Sequence, residues 1–145
     1  MHIKKIEIDE REQALELVWN TFMRYEAPDY SDEGIATFAK EAIRNENFLN
    51  MIVLYGAYEE KKLLGVIATR NQGNHIALFF VDGAHHRQGI GKRLFNAVVE
   101  NSTADKITVN SSPYAVDVYH HLGFVDTAPE QNFEGMRFTP MIYIK

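Results

Sequence analysis

Val81-Asp82-Gly83-Ala84-His85-His86-Arg87-Gln88-Gly89-Ile90-Gly91-Lys92 lies between two segments of opposite character. Before it runs Ile76 to Val81, the most apolar stretch of the chain. After it, Ile90, Leu94 and Val98 recur at helical spacing. The pattern predicts a strand buried on both faces, a glycine turn and an amphipathic helix over Gly89 to Asn101. A helix start leaves amide N–H groups unpaired and carries partial positive charge. Glycines let the backbone approach a ligand closely. Such a turn suits the oxygens of a phosphate group, and Arg87 and Lys92 add cations beside it. An ordinary strand-to-helix turn would also use glycine for its geometry.

Two familiar phosphate loops fit poorly. A Walker loop needs an earlier glycine and a Ser or Thr after Gly91-Lys92, where Arg93 stands. A dinucleotide fingerprint needs a small residue three places after Gly91, where Leu94 stands. A second block follows: Asn110-Ser111-Ser112-Pro113-Tyr114-Ala115-Val116-Asp117-Val118-Tyr119-His120-His121-Leu122-Gly123-Phe124. Its apolar spacing predicts a helix stopped by Gly123.

Together the two blocks resemble the GNAT superfamily of N-acetyltransferases. The first matches the acyl-CoA loop pattern Gln/Arg-x-x-Gly-x-Gly/Ala as His86-Arg87-Gln88-Gly89-Ile90-Gly91, with His86 in the first place. The second matches Ala-x-x-x-Tyr-x-x-x-Gly-Phe through Ala115, Tyr119, Gly123 and Phe124. The ending Gly135 to Met141 is similar to one GNAT subgroup, and the specific part of the resemblance runs from Leu78 to Phe124.

The resemblance implies an α/β (mixed α+β) fold, a sheet of about seven strands flanked by about four helices. Its fourth and fifth strands, Ile76 to Val81 and Ile107 to Val109, would splay apart. It implies acetyl-CoA as co-substrate and transfer of the acetyl group to a primary amine of a small molecule or peptide by direct attack. The amides of Phe79 and Val81 would pair with the pantetheine arm, and those of Gln88 to Lys92 would bind the pyrophosphate. Asn110 and Ser112 stand where family members contact the cofactor, the usual Asn aligning with Ser112. Tyr119 would be the general acid, although its place on an apolar helix face also suits a core residue. An alkylammonium is almost wholly protonated at neutral pH, so a base is needed. Glu26, in the segment bordering the acceptor site, is the leading candidate, with Asp82 and a water relay as alternatives. A non-catalytic acyl-CoA-binding module on the same fold is the competing function.

The rest of the chain is consistent with one domain over residues 1–145. Ile3 to Ile8, Met51 to Tyr58, Leu63 to Thr69, Phe124-Val125 and Met136 to Ile144 read as strands, with Pro140 placing the last near an edge or bulge. Asp9-Glu10-Arg11-Glu12 has the form of a capping box, followed by Ala14, Val18 and Phe22 on one face. Ser31 is a good N-cap for a second helix carrying Ile35, Phe38, Ala39, Ala42 and Ile43.

Composition excludes several functions. There is no cysteine, so no thiolate metal site, disulfide or Cys nucleophile. The net charge of −5, from 15 basic and 20 acidic residues, disfavours a nucleic-acid binder. No long apolar run suggests a signal peptide or membrane span, so a cytoplasmic location is expected. His85, His86, His120 and His121 lack a ligand spacing, and no metal is expected. The cluster Glu26, Asp29, Asp32 and Glu33 suits a cationic acceptor, although Asp32 and Glu33 are also what a helix start prefers. A homodimer is one assembly open to such a chain.

Overall fold

The computed structural model describes residues 1–85 and 89–145. Eight strands, β1 (His2–Lys5), β2 (Val53–Glu59), β3 (Lys62–Arg70), β4 (His75–Val81), β5 (Lys106–Ser111), β6 (Val125–Asp126), β7 (Gln131–Phe133) and β8 (Met136–Ile144), form an open sheet. Its order is β1-β2-β3-β4-β5-β8-β6, with β7 paired to β8. Five helices, α1 (Arg11–Thr21), α2 (Asp32–Phe38), α3 (Glu46–Met51), α4 (Ile90–Asn101) and α5 (Val116–Leu122), cover its faces. This is the expected mixed α/β architecture, with one more strand and one more helix than the pattern showed. Among the described residues no helix is long and apolar enough to cross a membrane.

Every strand pair is antiparallel except β4 with β5. That parallel pair is joined only at His75↔Thr108 and Ile76↔Val109. Beyond those two rungs the strands part, and the sheet opens into a wedge. The predicted splay lies at the predicted strands.

A core packs on each face. On one, Ala14 and Val18 of α1 and Phe22 just beyond its end are completely buried, as their spacing required. They meet Phe38, Val66 and Phe80, with the rings of Phe22 and Phe38 stacked 4.0 Å apart. On the other, Ile90, Leu94 and Val98 of α4 meet Ile107, Phe124 and Met141. Each such fully buried side chain contributes about 1.5–3 kcal/mol.

Four expectations need correction. The strand buried on both faces is β3, in which Leu63 to Thr69 are all buried, and not β4. In β4 burial alternates, because the face carrying Phe79 and Val81 borders the wedge. The capping box at Asp9 to Glu12 does not form: a 3-10 turn at Ile8–Glu10 leads directly into α1, and neither flanking residue caps it by side chain. The second strand begins at Val53, since α3, capped by the Asn45 side chain on the Phe48 amide at 3.0 Å, occupies Glu46–Met51. Pro140 lies in an interior strand, opposite Asn110 of β5. Its carbonyl accepts from the Thr127 amide at 2.9 Å on the far side. The missing donor points the same way, past the last rung of β6, so no ladder bond is lost.

Candidate functional site

The wedge opens into a cleft of about 430 Å³, a size typical of small-molecule sites. Its walls come from four places distant in sequence: the end of α1, the end of β4, the start of α4, and α5.

The α4 wall follows from two glycines. Gly89 sits at the N-cap with φ +77°, a left-handed conformation that favours glycine. A Cβ there would meet nothing within 4 Å, so the requirement is conformational and the space beside it is open. The first bond of the helix runs from the Arg93 amide to the Gly89 carbonyl at 3.1 Å. The amides of Ile90, Gly91 and Lys92 therefore have no carbonyl of the helix to bond. Gly91 lies over Phe79, with 3.5 Å between the ring and an added Cβ. Gly89, Ile90 and Gly91 line the cleft, whereas Lys92 is exposed. His86, Arg87 and Gln88, predicted to belong to the loop, lie outside the described residues.

The β4 wall is set by register. The Asp82 amide donates to the Leu64 carbonyl of β3 at 2.8 Å. Amides alternate along a strand, so those of Phe79 and Val81 turn the other way, toward the wedge. Asp82 itself is a turn former: its carboxylate accepts from the Ala84 amide at 3.1 Å. It lines a neighbouring groove with Arg24 and Gly83, away from the cleft.

The remaining two walls carry the acid–base candidates. After α1 the chain makes a wide π-helical turn, Phe22–Glu26, and then a 3-10 turn at Ala27–Asp29. Glu26 ends the wide turn and reaches the cleft, half-buried. Loss of solvent raises its carboxyl from 4.5 to about 7; a nearby Ser112 hydroxyl opposes the rise and Asp29 adds to it. Tyr119 of α5 faces the same cleft, 5% exposed. Its ring is held edge-on between Phe79 at 5.9 Å and Phe124 at 5.2 Å. Burial first, and the Glu26 charge second, push its hydroxyl well above the usual tyrosine range. Gly123, at φ +107°, ends α5 and turns the chain so that Phe124 enters the core.

Behind this pair, deeper in the wedge, is a small cavity of about 90 Å³ shared by Glu26, Tyr30, Asn110, Ser112 and Tyr119. The predicted residues of β5 and its exit, Asn110 and Ser112, therefore sit on the Glu26 side of the site. Tyr25, His85 and Tyr114 also line the cleft, and no motif pointed to them. The Tyr25 and Tyr114 rings lie 5.6 Å apart. The only local signal was Gly83, where any Cβ would overlap the Tyr25 hydroxyl.

The comparisons agree with this fold. The family model for the acetyltransferase (GNAT) domain matches residues 26–145, and the chain belongs to that family. Its chemistry is acyl transfer. No curated protein sequence matches the chain. Among solved structures it is similar to the GCN5-related N-acetyltransferase (aminotransferase, class II) from Rhodopseudomonas palustris, at 18% identity over 99% of this chain and 95% of that one, with a TM-score of 0.84. It is similar also to PaiA N-acetyltransferase from Thermoplasma acidophilum in complex with coenzyme A, at 19% identity over 99% and 98%, with a TM-score of 0.77. A third is an aminoglycoside 6'-N-acetyltransferase complexed with coenzyme A, at 14% identity over 99% and 97%, with a TM-score of 0.65. At these identities the likeness is one of fold.

Proposed function

We propose that the chain is a single-domain N-acetyltransferase that moves an acetyl group from acetyl-CoA to a primary amine, with Glu26 as base and Tyr119 as acid. The observation that carries the reading is the shared cleft: a raised carboxyl and a proton-retaining phenol face one space, and a glycine-started helix faces it too. The residues present fit a coenzyme A thioester. The bare helix start at Gly89, Ile90, Gly91 and Lys92, preceded in the sequence by His86, Arg87 and Gln88, suits the pyrophosphate. The wedge-facing amides of Phe79 and Val81 suit an extended amide-bearing arm and a developing oxyanion. Asn110 stands at the inner end of the same wedge. Two CoA-bound structures of the same fold support the choice of donor.

The chemistry balances within this set. The ammonium gives one proton to the Glu26 carboxylate, the free amine attacks the thioester carbonyl, and the attached nitrogen releases its second proton to solvent as the tetrahedral intermediate collapses. As the C–S bond breaks, Tyr119 gives its proton to the departing sulfur. The products are the N-acetyl amine and CoA, and proton exchange with solvent resets both side chains. A base that titrates near 7 is matched to neutral pH. The buried phenol stays in its protonated form, the form a general acid needs.

The test is thiol release from acetyl-CoA across a panel of small-molecule and peptide amines. Turnover with at least one amine is expected, and Tyr119→Phe should lower kcat by about 10²-fold or more. Binding of acetyl-CoA with no turnover on any amine would favour a non-catalytic module. Full turnover by Tyr119→Phe would remove the acid.

A further inference from the structure

The Ser112 hydroxyl is out of place for a cofactor ligand. Its Oγ is sealed from solvent and makes no hydrogen bond of ordinary geometry among the described residues, although it lies close enough to Glu26 to lower its carboxyl. The neighbouring Ser111 hydroxyl is already committed, donating to the Ser112 carbonyl at 2.8 Å. Buried hydroxyls are rarely left unpaired, so an acceptor must be near. The small cavity supplies one: Glu26 shares it with Ser112. The two are joined by topology as well. β5 diverges from β4 at Val109, and the turn that follows carries Ser112 to the place where the wide turn after α1 delivers Glu26.

We propose that Ser112 is a positioning residue for the base: its hydroxyl donates to the ionised Glu26 carboxylate and fixes where that carboxylate points, and it does not serve the coenzyme. The inference rests on the reading of Glu26 as base. A hydroxyl can donate to a carboxylate whenever the carboxylate is charged, and it favours that charged form. The other groups around Glu26 act differently. Asp29, on its own segment, opposes ionisation. Tyr30 donates its hydroxyl to the Arg137 carbonyl at 3.3 Å, away from the carboxylate. Arg137, on β8, is bound to Glu130 and to the Asp29 carbonyl. Tyr119 of α5 keeps its proton beside it, and Tyr25 and His85 line the same cleft. Among the described residues, Asn110 on β5 is a further polar neighbour in the cavity. Among the described residues Ser112 is thus the group that favours the charged form of the base, against burial and Asp29.

The experiment compares the pH dependence of kcat/KM for the amine in the wild type, Ser112→Ala, Ser112→Thr and Glu26→Gln, with KM for acetyl-CoA measured in parallel. Losing the hydroxyl should move the acid limb of Ser112→Ala to higher pH by about one pH unit. On that limb the rate falls up to about tenfold, and above it the rates converge. KM for acetyl-CoA should not change, and Ser112→Thr, which keeps a hydroxyl, should restore the limb. A rise in KM for acetyl-CoA with the limb unmoved would overturn the inference in favour of a coenzyme contact. No change in either would overturn it too. If Glu26→Gln loses the limb while Ser112→Ala keeps it in place, only the role of Ser112 falls. If Glu26→Gln keeps the limb, the base is elsewhere and both readings fall.

Discussion

Replacing Glu26 by Gln should make the protein more stable at pH 8 while making it inactive. The carboxyl titrates at about 7 in the fold against 4.5 for the free group. The folded state therefore holds the proton more tightly than the unfolded chain does. Stability is unaffected by this group below the unfolded value and falls as pH rises from 4.5 to 7, because folding then demands a poorly solvated charge. Above 7 the loss is complete, and the span from 4.5 to about 7 corresponds to about 3 kcal/mol. Glutamine has nearly the same shape and no charge, so it escapes that cost. Unfolding by urea or heat, followed between pH 4.5 and 8.5, should show wild type and Glu26→Gln close together at the acid end. The variant should gain about 3 kcal/mol by pH 8, on the order of 10 °C in Tm. A difference that stays flat across this range would refute the assignment of a raised carboxyl at Glu26, whatever the activity of the variant.

Two further predictions concern backbone geometry. Gly89→Ala must place a side chain at φ +77°, with no neighbour to clash, and should cost about 1–2 kcal/mol, a fall of several degrees in Tm without ligand. Gly91→Ala has no such φ and only an ordinary contact with Phe79, so it should leave Tm equal or slightly raised; a matching loss in both variants would contradict the left-handed cap. Ser31→Ala removes the hydroxyl that accepts from the Gly34 amide at 3.2 Å and should cost about 1 kcal/mol by chemical denaturation. No loss there would mean that α2 is held by its packing alone.

The parts legible from sequence are those whose chemistry is contained in local spacing. Gly89 and Gly91 announce a helix start near a ligand, and Ala115, Tyr119, Gly123 and Phe124 announce the helix beyond it. The stripe of Ala14, Val18 and Phe22 announces a buried face, and Ser31 announces the start of α2. What could not be read is assembled from distant segments. Nothing in the sequence around Glu26 shows that Ser112 and Tyr119 will surround it, and its raised pKa is a property of that enclosure. The same holds for the burial of β3. Its run is less apolar than that of β4, yet it is covered on both faces, whereas β4 keeps one face on the cleft. Asp9 failed as a cap because a 3-10 turn used the residues that the box would have needed. Asn45 caps α3, but that helix is only six residues long and too short to show a helical period.

The two-rung joint between β4 and β5 leaves a strand edge inside the sheet. A sheet normally meets its unpaired backbone at its outer edges, where another chain can add to it. Here a stretch of unjoined strand lies in the middle of the sheet, at the bottom of a wedge. The rings of Phe79, Tyr114 and Tyr119 crowd that wedge, and a second polypeptide strand with side chains on both faces would collide with them. A slender, unbranched chain would not. The shape of this interior edge thus favours a thin extended molecule over a second strand, and selection by width precedes any polar contact.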